Sequence, residues 1–247
     1  MNLPFKKSLL MKTLICFPSS GSSSSLFAPW KLFFEQKNIA LICPEYPARG
    51  RRFNDPPTKS IDALAQDMMH QLQDELKNNE DYHLFGHSLG GIVAYELALK
   101  IQQSPYKAPK SVFISSSHAP HKREKTSLKS HLSDSELIAA LKQIGGLKQE
   151  VLNHPELMEL VLPIIRADLA LNEHYQISKK VPLSCPITTI HGTDDPVVKL
   201  EYIKEWKHYS EDYQHINWPG DHFYFQPDLE RFLTALATSL EAVYKRD

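Results

Sequence analysis

The segment Phe85-Gly86-His87-Ser88-Leu89-Gly90-Gly91 sets a serine between two glycines, each two positions away. It follows a short apolar run, His83–Phe85, and opens into Ile92-Val93-Ala94-Tyr95-Glu96-Leu97, which reads as a helix. A strand-to-helix turn this tight makes side chains two positions either side of the serine collide, and it pushes the hydroxyl out above the sheet. The helix N-terminus beneath it favours developing negative charge. Ser88 is the candidate nucleophile of an acyl transfer.

A serine nucleophile needs a base and a group that orients the base, and after a turn of this kind the acid precedes the histidine in the chain. Of the 12 histidines, His222 lies farthest along, in Trp218-Pro219-Gly220-Asp221-His222-Phe223, a tight turn after the strand-like run Tyr213–Ile216. It is the candidate base. The acid falls in Ile190-His191-Gly192-Thr193-Asp194-Asp195-Pro196, again just past a strand-like run. Asp195, directly before the proline, is favoured as the orienter. Asp194 competes with it, its other role being to cap the turn through its side chain. The oxyanion hole requires two backbone N–H groups. Leu89, the residue after the nucleophile, supplies one. Ser20, in the loop Phe17-Pro18-Ser19-Ser20-Gly21-Ser22, is the choice for the other, with Ser19 next.

Other signals carry less. His118 and His121 are three apart but lack a third ligand at sensible spacing, so no metal site is expected. Arg49-Gly50-Arg51-Arg52 reads as a salt-bridged loop before it reads as a phosphate grip. The His87 side chain should point away from the cleft.

Elements of the right kind surround these residues. The runs Thr13–Phe17, Ile39–Cys43, His83–Phe85, Ser111–Ile114 and Ile187–Ile190 are short, apolar and followed by turn residues, as buried parallel strands are. Helical patterns over Phe27–Glu35, Ser60–Leu76, Gly91–Gln102, Leu200–Tyr209 and Leu229–Tyr244 alternate with them. The expected fold is α/β, with helices on both faces of a mostly parallel sheet. Residues 117–180 interrupt the alternation with helices only. Ser133-Asp134-Ser135-Glu136 is a capping box. Leu157, Leu160, Val161, Ile164 and Ile165 form an apolar face that Pro163 should kink.

Composition narrows the class further. Lys+Arg 28 against Asp+Glu 29 gives a net charge of −1, which disfavours a sequence-independent nucleic-acid binder. Three cysteines, far apart and without CxxC spacing, argue against a disulfide scaffold and fit a reducing cytoplasm. No apolar run approaches the ~20 residues of a membrane span. Lys12 splits the apolar stretch near the N-terminus, so a signal peptide is not expected. The 247 residues are expected to form one domain, 1–247, with 117–180 as an insertion.

Together these segments resemble one family, the stand-alone type II thioesterases of nonribosomal peptide and polyketide synthesis, from about Leu14 to Leu236. Cys16-Phe17-Pro18 with Gly21 resembles the family's first strand and loop. Tyr46-Pro47-Ala48-Arg49-Gly50-Arg51-Arg52-Phe53 resembles its P-G-R-G-x-R segment, and Phe85–Gly91 its elbow. Leu132-Ser133-Asp134, Gly145-Gly146 and Arg166-Ala167-Asp168 resemble its helical lid. Gly192–Pro196 and Pro219–Phe223 resemble its acid and base segments. Ser19 stands where histidine is usual, and Asp221 where glycine is usual.

The resemblance implies an α/β-hydrolase fold with a helical lid. It also implies hydrolysis of acyl groups held as thioesters on the phosphopantetheine arm of an acyl or peptidyl carrier protein. No cofactor or metal is implied, and a cytoplasmic monomer is expected. A carboxylesterase or lipase with the same triad is the competing enzyme, and a catalytically silent binding module the competing non-enzyme. The lid is expected to enclose an apolar acyl tunnel leading to Ser88. Lys122, Arg123 and Lys125 at its start form a basic cluster that could steer an acidic carrier protein.

Overall fold

In the computed structural model, which describes residues 12–125, 128–147, 151, 153–177 and 180–244, six strands pair in parallel. They are β1 (Lys12–Phe17), β2 (Ile39–Ile42), β3 (Tyr82–His87), β4 (Val112–Ser115), β5 (Ile187–Gly192) and β6 (Tyr213–Trp218). Their spatial order is β2-β1-β3-β4-β5-β6. The chain runs one way from β1 to β2 and the other way from β3 onward. The two directions part between β1 and β3, where open α/β sheets form a crevice beyond the carboxyl ends of their strands. Phe17 lies opposite Gly86 in the β1/β3 register, so the loop after β1 emerges beside the turn that carries Ser88.

Both faces of the sheet are buried, which is why its central strands read as unbroken apolar runs. Side chains alternate between faces with period two. Ile15, Phe17 and Leu84 join one core, while Leu14, Cys16 and Phe85 join the other. The first core is closed by α2 (Ile61–Gln71), α3 (Gln73–Asn78) and α4 (Leu89–Gln102). Ser60 caps α2, its side chain accepting from the Ala63 N–H at 3.0 Å. Leu72 divides the helix expected over Ser60–Leu76 into α2 and α3. The second core is closed by a 3₁₀ turn (Ser24–Trp30), α1 (Lys31–Gln36) and the C-terminal helix, whose Phe232, Leu233, Leu236, Ala237 and Leu240 recur at helical spacing.

Between β4 and β5 the chain forms a 3₁₀ turn (Pro120–Lys125), α5 (Asp134–Gln143) and α6 (Pro155–His174), with no strand among the described residues there. The capping box forms as the sequence implies. Ser133 Oγ accepts from the Glu136 N–H at 3.3 Å, and the Glu136 carboxylate accepts from the Ser133 N–H at 2.9 Å. Helix α6 continues through Pro163, which is exposed. One detail of this helix differs from expectation. Its buried stripe is Met158, Leu162, Ile165 and Leu169, packed on Leu137, Leu141 and Ile144, while Leu157 and Leu160 are exposed. After β5 follow α7 (Leu200–Ile203), a 3₁₀ turn (Lys204–His208), β6 and α8 (Leu229–Val243).

Candidate active site

Ser88 occupies a turn only a few atoms wide. Its backbone sits at φ 55°, ψ −111°, and its N–H donates to the Ser115 carbonyl at 2.8 Å. A Cβ on Gly86 would lie 2.0 Å from the Gly90 oxygen, and one on Gly90 would lie 2.0 Å from the Phe17 oxygen. The two glycines flanking the serine are thus fixed by backbone contacts that cannot yield. Gly90→Ala is expected to cost at least about 3 kcal/mol, because the elbow must part from β1. The melting temperature should fall by roughly 6–12 °C, read by thermal denaturation.

The loops after β5 and β6 bring Asp195 and His222 together. His222 Nδ1 and Asp195 Oδ2 are 2.9 Å apart, with both side chains almost wholly buried. Asp195 Oδ1 accepts the backbone N–H groups of Val197 at 2.8 Å and Val198 at 3.0 Å. Burial alone would raise the Asp195 pKa, but the hydrogen bond and charge of His222, with the Val198 N–H, outweigh it and hold the carboxyl at about 2. The loops brace each other: the Thr193 N–H donates to the Trp218 carbonyl at 2.8 Å and the Asp194 N–H to the Gly220 carbonyl at 2.9 Å. The Asp194 side chain is exposed and, among the described residues, accepts only from Thr193 Oγ1, at 3.1 Å. Asp221 Oδ1 accepts the Phe223 N–H at 2.8 Å, so this departure from the family pattern helps close the turn around His222.

His87 points inward, as anticipated. Its Nδ1 lies 2.9 Å from Ser115 Oγ, which lies 2.6 Å from the Tyr224 hydroxyl. Its ring packs 5.0 Å from that of His222, and burial pushes its pKa well down, so it stays neutral beneath the base. Ser88 Oγ and His222 are not in hydrogen-bond contact in this arrangement; such contacts commonly tighten only when substrate binds.

The serine-rich loop after β1 is held firmly. Ser19 is buried, and its Oγ lies 2.9 Å from that of Ser22. The Gly21 N–H is committed to Asp168 Oδ2 at 2.8 Å. Arg49 forms a buried two-pronged pair with the same carboxylate, at 2.6 and 2.7 Å, and Arg52 pairs with Asp55 at 2.7 Å and with Asp67. The arginine-rich segment is therefore a salt-bridged loop. Asp168 was not assigned a role from sequence. Its signal is an acid three residues after Ile165, on the stripe that also holds Leu162 and Leu169.

Two expectations are corrected here. Among the described residues, the cavity found at Ser88 is small and of mixed lining rather than an apolar tunnel. It measures about 30 Å³, and Ser117, His118, Arg123 and Asn172 line it along with Leu169 and Val198. Arg123 does not stand in a basic docking cluster: it is 6% exposed, and its guanidinium donates to Ser117 Oγ and the His118 carbonyl, both at 3.1 Å, and to Asn172 Oδ1. Lys122 is half-buried, and the side chain of Lys125 lies outside the described residues. His118, whose pKa burial and then Arg123 pull down to about 3, is neutral. His121 pairs with Glu205 at 3.2 Å and with the Tyr209 hydroxyl at 2.9 Å.

The chain is similar to known proteins over most of its length. The chain is 30% identical over 229 residues to thioesterase TesA of Mycobacterium marinum, covering 92% of this chain and 90% of that protein. Among solved structures it is similar to RedJ, a thioesterase of the prodiginine pathway in Streptomyces coelicolor, with TM-score 0.85 and 30% identity, covering 94% of this chain and 91% of RedJ. It is also similar to YbtT, a type II thioesterase of yersiniabactin biosynthesis, with TM-score 0.82 and 29% identity over 96% of both chains. The fold is that of the α/β-hydrolase thioesterases, and among the described residues no helix is long and apolar enough to cross a membrane. A family model for the thioesterase domain matches residues 12–242, and the chain belongs to that family, enzymes that hydrolyse thioester bonds.

Proposed function

We propose that this enzyme removes acyl groups held as thioesters on the phosphopantetheine arm of carrier proteins, through Ser88, His222 and Asp195. The observation that carries this reading is the buried Asp195–His222 hydrogen bond at 2.9 Å, mounted beside a strained serine turn. Asp195 holds the Nδ1 proton, leaving Nε2 free to act as base. His222 takes the hydroxyl proton as Ser88 Oγ attacks the thioester carbonyl, and the oxyanion rests on the N–H groups of Leu89 and Ser20. The C–S bond then breaks, and the pantetheine sulfur leaves with the proton from His222. Water, deprotonated by the same imidazole, attacks the acyl-enzyme, and the free acid departs as Ser88 regains its proton. The three side chains and two N–H groups suffice for this chemistry.

Residues 117–180 act as a lid over a small chamber of mixed lining, and the enzyme works as a cytoplasmic monomer of one domain. The carrier-protein substrate is drawn from relatives such as YbtT, named for a pathway of nonribosomal peptide and polyketide synthesis. Steady-state rates on an acyl-carrier protein, the matching acyl-CoA and a p-nitrophenyl ester test it. The carrier-bound acyl group is expected to give the highest kcat/KM, by at least tenfold. A p-nitrophenyl ester hydrolysed fastest, with the carrier protein untouched, would make this chain a carboxylesterase instead.

A further inference from the structure

The loop after β1 and helix α6 meet at one buried carboxylate. Asp168 is 2% exposed, and its Oδ2 accepts from both Arg49 and the Gly21 N–H, 147 residues away in the chain. Arg49 in turn donates to the Ser22 carbonyl at 3.2 Å, on the far side of the same turn. Ile165, one helical turn before Asp168, covers Gly21 so closely that a Cβ there would lie 2.4 Å from its Cγ1.

Ser19 to Ser22 form a tight turn in which the Ser22 N–H donates to the Ser19 carbonyl at 3.1 Å. Gly21, at its third position, has φ +74°, as a type II turn requires. The peptide joining Ser20 to Gly21 has two faces, and a type I turn would present the opposite one. Its N–H faces Asp168 here. A carboxylate attracts that N–H and repels a carbonyl oxygen in the same place, so the charge on Asp168 selects the turn. A type I turn would keep Ser20 at the same φ, so what Asp168 fixes is the place of the turn: tied through the Gly21 N–H and braced by Arg49 at the Ser22 carbonyl, the turn and its Ser20 N–H are held against α6.

We infer that Asp168, held by Arg49, is a positioning residue for the oxyanion hole, locking the turn that aims the Ser20 N–H only while α6 is docked. The inference rests on the reading of Ser20 as the second oxyanion donor. Removing one partner of a buried ion pair leaves the other charge uncompensated and lowers stability. A role confined to bracing would show in the melting temperature and leave the kcat of the folded protein unmoved.

The test uses the full chain, a short acyl-pantetheine thioester, and two inhibitors of matching length. One is a trifluoromethyl ketone, which adds Ser88 Oγ to its carbonyl and carries an oxyanion. The other is a thioether, which cannot. Asp168→Ala is expected to lower kcat by about 10²-fold, the scale of one lost oxyanion donor, with KM within about threefold. The Ki of the ketone should rise by a similar factor while that of the thioether holds. Asp168→Asn keeps an acceptor for the Gly21 N–H and should lose only about tenfold, with the ketone again tracking kcat. It carries the comparison alone if Asp168→Ala does not fold. The inference is overturned if a folded variant keeps wild-type kcat, or if ketone and thioether weaken together. Wild-type enzyme without Ser88-dependent thioester hydrolysis would sink the proposed function instead, before any variant is made.

Discussion

Ser88→Ala is expected to lower kcat on an acyl thioester by about 10⁴–10⁶-fold, because nucleophile, base and orienter act as a unit. His222→Ala should do nearly the same, and the double variant should be little worse than either. Ser88→Ala should melt near the wild-type temperature, whereas His222→Ala leaves the buried Asp195 carboxylate without its partner and should still fold but melt lower by roughly 4–8 °C. A serine-directed fluorophosphonate should label Ser88 alone, as read by peptide mass spectrometry. Turnover above about a tenth of wild type in Ser88→Ala would remove this serine from the mechanism.

Asp195→Asn is expected to cost about 10⁴-fold in kcat while Asp194→Asn stays within about threefold. The reason lies in the partners of Asp195. Its Oδ1 already accepts the N–H groups of Val197 and Val198, so the oxygen of an asparagine would keep that position. The amide nitrogen would then donate toward His222 Nδ1, forcing the proton onto Nε2 and leaving no base to face Ser88. The Asp194 side chain is exposed and accepts from Thr193 Oγ1. The pair also carries a pH signature. The Asp195 carboxyl falls from an ordinary 3.8 to about 2 in the folded protein, equivalent to about 2 kcal/mol. A depressed folded value means this stability is present above about pH 4 and is lost as pH falls toward 2. Urea midpoints of wild type and Asp195→Asn should therefore converge over that interval; parallel curves would show that Asp195 carries no such shift.

The sheet and its order of elements were legible because parallel strands buried on both faces leave short apolar runs, and each run ends where a loop must turn. The elbow was legible because its glycines answer to backbone contacts within a few residues of Ser88. Asp168 was not, because nothing local in the sequence connects it to Arg49, 119 residues earlier. Arg123 misled for the opposite reason. A run of cations looks solvated in sequence, yet this side chain turns back onto Ser117 and Asn172, acceptors brought near only by the fold. Leu157 and Leu160 show the same limit on a smaller scale, since a helix rich in apolar residues does not declare which stripe will face its neighbour.

The place of β6 in the sheet bears on the order in which the molecule comes apart. Ser88 rises from β3, flanked on both sides by buried strands, whereas His222 follows β6, an edge strand paired only with β5 and partly exposed along its length. Edge elements open at lower free energy than the centre of a sheet. Mild denaturant should thus release the base while the nucleophile remains seated, and the enzyme should fall silent before its helices begin to melt.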